Sequence, residues 1–311
     1  MYMKLNIMVV IIQSFILFIG IAYLTLLERK ILGYIQDRKG PNKVGFMGIL
    51  QPFSEAIKLF SKEDLEIMKT SKVLFYLMPV LSMFCLLIVW MIYPYFTNVY
   101  YMNYSILYMI VILSLNSYVI MLMGWSSNSL YAMFGSIRSV AQLLSYEVVF
   151  ILIILVQMIL SESYSLLDFI KWQVYLWYMV MLFPLMIMFF ISMLAELNRS
   201  PMDFIEGESE LVSGFNVEYF SGLFALIFLV EYGMIIFMSF FMVYMYMGSE
   251  SEVVKIFLVN LMISVVIFMR GILPRMRYDE MMYLCWKIFL PLVLNYLIYI
   301  LMFKFMVSIL V

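Results

Sequence analysis

Asp203, Glu206, Glu208 and Glu210 put four carboxylates within eight residues, in a loop that opens at Glu196 and has Arg199 as its only basic residue. Like charges at such spacing cannot all ionise at neutral pH, so some of these groups hold protons and can exchange them. Charge this dense is costly beside hydrocarbon, and a membrane chain that keeps it has a use for it. The chemistry on offer is the storage and transfer of protons. Two further acids, Glu147 and Glu231, lie inside apolar runs with no Lys or Arg within a helical turn. Each could gain or lose a proton as its hydration changes; the alternative is a permanently neutral acid hydrogen-bonded to a neighbouring helix. Tyr146 and Tyr232 adjoin them, but adjacent positions on a helix point in different directions and are not evident pairs.

Cations gather near the same loops. Arg29 and Lys30 end the first apolar run, Arg38 and Lys39 follow, and Arg270, Arg275 and Arg277 close the seventh. Such charges commonly signal orientation in the membrane; the sharper reading is docking of an anionic surface, which Arg does well through bidentate bonds. Phe224 and Phe228 stand four apart on one helical face, as lipid-facing residues do and as a wall for a flat apolar ligand would. The chain has no histidine, which excludes bis-histidine haem, histidine metal sites and imidazole relays. Cys85 and Cys285 are far apart in or beside apolar runs and read as small buried hydrophobes. There is no glycine-rich phosphate loop, dinucleotide fingerprint or nucleophile–base arrangement. No metal, haem or flavin site is therefore expected, and a net charge of −1 gives no nucleic-acid signal.

The elements that must position these residues are membrane helices. Two-thirds of the 311 residues are hydrophobic (66%), 13% are charged, and the mean hydropathy is +1.03. This is the composition of an all-α polytopic membrane protein. About eight spans are expected, near 5–27, 73–93, 104–124, 140–160, 174–194, 220–247, 253–269 and 288–311. They form a single transmembrane domain over 1–311 with long loops at about 28–72 and 195–219. Fifteen Lys and Arg fall in the loops after the odd-numbered spans, against Lys4, Lys171, Lys255 and Lys304 elsewhere. That asymmetry puts those loops on the cytoplasmic or matrix side and both termini on the other. Within the first loop, Ile49, Leu50, Phe53, Ile57 and Phe60 recur at helical spacing and Pro52 suits a first turn, which predicts an amphipathic helix at the membrane surface. Thirty-two methionines with many Phe, Tyr and Ile point to an A/T-rich coding genome, such as a mitochondrial one. No cleavage site follows the first residues, so no removable signal is expected.

Five segments, in order, carry a resemblance over essentially the whole chain: Glu28-Arg-Lys-Ile-Leu-Gly-Tyr-Ile-Gln-Asp-Arg-Lys-Gly-Pro-Asn42, Gln51-Pro-Phe-Ser-Glu-Ala-Ile-Lys-Leu-Phe60, Ser145-Tyr-Glu147, the acidic loop, and Pro274-Arg-Met-Arg-Tyr-Asp279. Together they resemble the loop signatures of the subunit-1 family of NADH:ubiquinone oxidoreductase, respiratory complex I, in its mitochondrial form. The resemblance implies a place in the mitochondrial inner membrane, with both termini facing the intermembrane space. The subunit would have no redox centre of its own. Its ubiquinone substrate would be bound jointly with peripheral-arm subunits, and its partners would be those subunits, adjacent membrane-arm subunits and lipid. By the same resemblance, Arg29, Arg38, Arg199, Arg270 and Arg275 would stand near the quinone cavity or its docking surface. Phe224 and Phe228 would wall the tunnel, and the helix around Phe53 would border its lipid entrance. Glu55, Glu147, Glu196, Asp203, Glu206, Glu208, Glu210 and Glu231 would form an acidic funnel and chain relaying protons or charge.

Other classes share some of these features. A stand-alone cation–proton antiporter or channel also needs intramembrane acids, and an energy-converting hydrogenase membrane subunit would share fold and acids. In a plain structural anchor, the acids would only bind basic partner surfaces.

Overall fold

The computed structural model describes residues 2–65, 67–94, 102–204, 214–249 and 251–310. Among them there are helices and no strands. Seven helices are long and apolar enough to cross a membrane, and an eighth apolar helix is shorter. In chain order they are α1 (Tyr2–Ile35), the surface helix α2 (Gln51–Phe60), α3 (Lys72–Val89), α4 (Ser105–Ser126), α5 (Leu130–Ser161), the short α6 (Leu166–Trp172) and α7 (Tyr178–Met181), α8 (Phe183–Glu196), α9 (Ser221–Tyr246), α10 (Glu252–Ile272) and α11 (Tyr278–Ile309).

The hub is α9, 67% of whose apolar stretch is buried, the highest share of the seven. It packs against α1, α3 and α10, while α5 is flanked by α4, α8 and α11. Aromatic rings tie the two halves through Phe150 of α5, Phe189 of α8 and Phe241 of α9, whose centroids lie 5.0–6.2 Å apart. The end of α9 is fixed by Gln173, fully buried. Its Nε2 donates to the Tyr244 and Met245 carbonyls, and its Oε1 accepts from the Gly248 amide at 2.7 Å. That one amide satisfies backbone groups that a helix end leaves open.

Helix ends depart from the spans read in the sequence, because hydropathy marks the edge of hydrocarbon and not the end of a hydrogen-bond ladder. The first helix continues through Glu28-Arg-Lys to Ile35, and α5 begins at Leu130, well before Val140. The last helix starts at Tyr278, with Asp279 and Glu280 in a first turn that favours negative charge. It widens into a π turn over Leu284–Phe289 just ahead of Pro291, whose ring cannot return a hydrogen bond. The fifth span is broken: α7 and α8 meet at Leu182-Phe183-Pro184, and α8 alone is about 21 Å long, short of a ~30 Å hydrocarbon core. The amphipathic helix forms where its periodicity predicts, with Pro52 in its first turn and Phe53, Ile57 and Phe60 exposed.

Close approach of α4 and α5 rests on small residues, as is common between membrane helices. A Cβ on Gly124 would lie 2.3 Å from Ser136 Oγ and 2.8 Å from the Ala132 carbonyl. Gly124→Ala is therefore expected to push α4 off α5 and to destabilise the protein by about 1–3 kcal/mol, the usual range for overpacking. A thermal-unfolding midpoint no lower than wild type would show that the contact yields.

Candidate functional site: a buried charge cluster opening on an acid-lined cavity

Four segments meet around Arg199. Glu28, near the end of α1, is 5% exposed, and Arg199, in the loop after α8, is 7% exposed. Arg199 Nη1 lies 3.9 Å from Glu28, and its Nη2 lies 3.7 Å from Glu231 on α9. Its guanidinium stands 4.6 Å from the centre of the Tyr232 ring. Glu28 also accepts hydrogen bonds from the Tyr232 hydroxyl and from Arg270 at the end of α10. Glu231 and Tyr232 do diverge, as adjacent helical positions must, and Arg199 is wide enough to touch both.

The energetics say what such a cluster is good for. At an effective dielectric of about 20, charges near 4 Å attract by roughly 4 kcal/mol. Desolvation costs several kcal/mol per ion, so the net gain in stability is small while the loss on breaking the set is large. The cluster fixes an arrangement more than it stabilises the fold.

Glu231 has a second face. With Glu196, Asn116, Asn198, Ser82 and Met234 it lines a cavity of about 50 Å³. That is room for a few waters, and far below the ~300 Å³ at which small-molecule pockets begin. Glu147, on α5, is close enough to Glu196 for their charges to repel. Arg270, Glu28, Arg199, Glu231, Glu196 and Glu147 thus follow one another from the end of α10 to the middle of α5.

The loop that carries Arg199 is held on two sides. Gln142 of α5, fully buried, donates from Nε2 to the carbonyls of Ala195 and Met202, each at 2.9 Å. On the other side the Met276 amide donates to the Pro201 carbonyl at 2.9 Å, Arg275 pairs with Asp203 at 3.3 Å, and Phe204 meets Tyr278 edge-on. Beyond it, Cys285 Sγ donates to the Ser145 carbonyl at 2.9 Å, bracing α11 against α5 two residues from Glu147.

Other expected residues lie apart from this line. Glu55 pairs with Arg29 and accepts from Gln51, joining α2 to α1. Burial would raise the Glu55 carboxyl, but the Arg29 and Gln51 hydrogen bonds and the Arg29 charge outweigh it and hold the group below its ordinary 4.5. Arg38 is exposed on the turn after α1, where its backbone amide donates to the Gly33 carbonyl. Phe224 and Phe228 lie 4.4 Å apart on α9 beside α2, whose Phe53 meets Tyr23 edge-on and whose Phe60 lies over Gly222. Together they line an apolar wall at the junction of α1, α2 and α9. Glu206, Glu208 and Glu210 lie outside the described residues.

Glu28, Gln142, Asn116 and Asn198 were not singled out in the sequence, and Tyr232 was noted there only as a neighbour of Glu231 with no evident pairing. Glu28 left a trace, as an acid standing directly before Arg29-Lys30 at the end of an apolar run. Among the described residues no group of three or more His, Cys, Asp or Glu could hold a metal ion.

Two outcomes test this geometry. Arg199→Leu leaves the buried Glu28 with Arg270 as its remaining cation and the half-buried Glu231 without Arg199, and is expected to cost about 3 kcal/mol, with partial recovery when Glu231→Gln is added. A double-mutant thermal series checks the coupling, and additive losses would show that Arg199 and Glu231 do not interact. For Glu55 the folded value is depressed, so its contribution is present above 4.5 and is lost as pH falls through the lower folded value. Arg29 is half exposed, so the effect stays under about 1 kcal/mol. Spin labels at residues 34 and 57 should report α2 loosening from α1 only on the acid side of 4.5, and loosening at neutral pH would contradict this assignment.

Comparison with known proteins gives a consistent set. A profile described as NADH dehydrogenase matches residues 7–301. The chain is 52% identical over 282 residues to the NADH-ubiquinone oxidoreductase chain 1 of Aedes aegypti, covering 90% of each. It is 46% identical over 305 residues to that of Apis mellifera ligustica, covering 98% of each. With that of Balaenoptera physalus it shares 45% over 284 residues, 89% of each.

Proposed function

This chain belongs to the NADH dehydrogenase family and is a core membrane subunit of NADH:ubiquinone oxidoreductase, and we propose that it links quinone reduction to proton translocation through the line of charges around Arg199. It is a mitochondrial inner-membrane protein whose relatives carry the enzyme's name, so ubiquinone is the substrate and other subunits of the complex are its partners. Membership in this family replaces the stand-alone antiporter reading.

The observation that carries the proposal is the double role of Glu231. On one side it shares Arg199 with Glu28; on the other it lines a water-sized cavity with Glu196. Reducing a quinone to the quinol takes two electrons and two protons; where those protons are drawn from groups lining its cavity, each donor is left one unit more negative, and the charge there changes. A charge change near Arg270 or Glu28 alters the hold of Arg199 on Glu231, since each contact is a matter of a few kcal/mol. Glu231 then exchanges a proton with the cavity, and the repulsion between Glu196 and Glu147 carries the effect onward. Each step is a change of protonation or field at a named carboxylate, and none needs an electron carrier in this chain.

The apolar wall suits a different task. Phe53, Phe224 and Phe228 present aromatic faces where α2 bridges α1 and α9. We assign it to the flank of the quinone path, with Arg29 and Arg38 on the side that peripheral-arm subunits cover. Asp203, Glu206, Glu208 and Glu210 are counted with the acids of the relay on the sequence alone. The cation asymmetry supports termini on the intermembrane-space side.

Glu231→Gln keeps shape and hydrogen bonding but cannot exchange a proton. In membranes holding the whole enzyme it should lower coupled NADH:ubiquinone turnover about ten-fold or more, in line with the loss of a positioned proton-transfer group. NADH oxidation by an artificial acceptor should stay normal, which shows that the complex is assembled. Wild-type turnover with wild-type proton pumping in this variant would refute the relay.

A further inference from the structure

Arg199 stands on a segment that leaves the last turn of α8, and one side chain bonds both ends of that segment. Gln142 Nε2 donates to the carbonyls of Ala195 and Met202, each at 2.9 Å, so the segment between them is drawn into a short arch with Arg199 inside it. Those carbonyls immediately precede Glu196 and Asp203, the acids that bound the arch. Gln142 itself sits in the rigid middle of α5 and is fully buried, so it has little freedom to follow a wandering loop.

We propose that Gln142 is a positioning residue for the coupling reaction: its amide staples the Ala195–Met202 arch to α5 and thereby sets Arg199 between Glu28 and Glu231. The proposal rests on the relay reading of Arg199 and Glu231 and adds the residue that fixes their geometry. Three features favour a tuned role over plain packing. Both N–H bonds go to main-chain carbonyls of one loop, so they report and control its backbone, whereas a packing residue at this position could be apolar. The amide oxygen Oε1 is buried and accepts no hydrogen bond among the described residues. An orphan acceptor in a protein interior is retained at a cost, and such groups mark sites where the arrangement matters more than stability. Finally, the second anchor of the arch, the Met276 amide on the Pro201 carbonyl, belongs to the α10–α11 connection, so the Gln142 bonds are the ones that hold the Met202 end of the arch to α5.

The test uses the intact enzyme in membranes with Gln142→Leu and Gln142→Glu. A buried glutamic acid facing two carbonyl oxygens stays protonated and offers one O–H donor where glutamine offers two N–H groups. Leu should cut kcat for ubiquinone reduction roughly ten- to hundred-fold, as misplacement of a reacting group does. The KM for quinone and NADH oxidation by an artificial acceptor should be unchanged. Glu should recover a substantial part of kcat, and backbone amides of 197–204 should exchange faster in Leu than in Glu or wild type. Wild-type kcat in Leu, equal losses in Leu and Glu, or failure of both to assemble would each overturn the positioning role. If Glu231→Gln is itself fully coupled, the relay reading has failed as well; if Glu231→Gln is impaired while Gln142→Leu is normal, only the staple is wrong.

Discussion

A guanidinium that lies 7% exposed inside a membrane bundle must be paired, and Arg199 is paired from two directions. Glu28 comes from the first helix, Glu231 from the hub, and Arg270 from α10 completes the neutralisation of Glu28. Because no ion here is tolerable alone, this contact ties α1, α9, α10 and the segment bearing Arg199 to one another, beside the apolar packing of the helices. Its cost and gain nearly cancel, so it disciplines geometry more than it adds stability.

The same constraint explains why the loop is so firmly held although it is irregular backbone. Buried irregular backbone survives only where its polar groups find partners within the protein. Here Gln142 supplies donors to two carbonyls, the α10–α11 connection supplies an amide to a third, and Asp203 is met by Arg275. Glu196 and Asp203 are thus carried on a scaffold anchored to α5 on one side and to the α10–α11 connection on the other.

Polar and apolar functions are kept apart by size as well as by chemistry. The carboxylate-lined cavity holds water at most, at about 50 Å³. The aromatic wall at α2 and α9 faces outward, with Phe53 and Phe60 exposed. The acid-lined cavity and the aromatic wall are therefore separate surfaces, and α9 contributes to both: Phe224 and Phe228 lie toward its start, Glu231 one turn further on.

The sequence by itself determined the class of protein and picked out most of the ionisable residues that meet around Arg199, because hydropathy, charge asymmetry and helical periodicity are properties of neighbouring residues. It located α2 by its apolar spacing and Pro52, and it marked Glu147, Glu231, Glu196 and Arg199 because charge is conspicuous against hydrocarbon. It misjudged where helices end, at Ile35, Leu130 and Tyr278, since a backbone ladder runs on past the membrane edge wherever side chains can reach water or a partner. The break at Leu182-Phe183-Pro184 was hidden because the residues around it are as apolar as the span itself. Glu28 and Gln142 were hidden for a deeper reason. A glutamate at a helix end and a glutamine within one look ordinary until their partners are known, and those partners lie far away in the chain. Which acid shares which cation, and how large a cavity they enclose, is fixed by distances between segments, and only the packed tertiary structure supplies those distances.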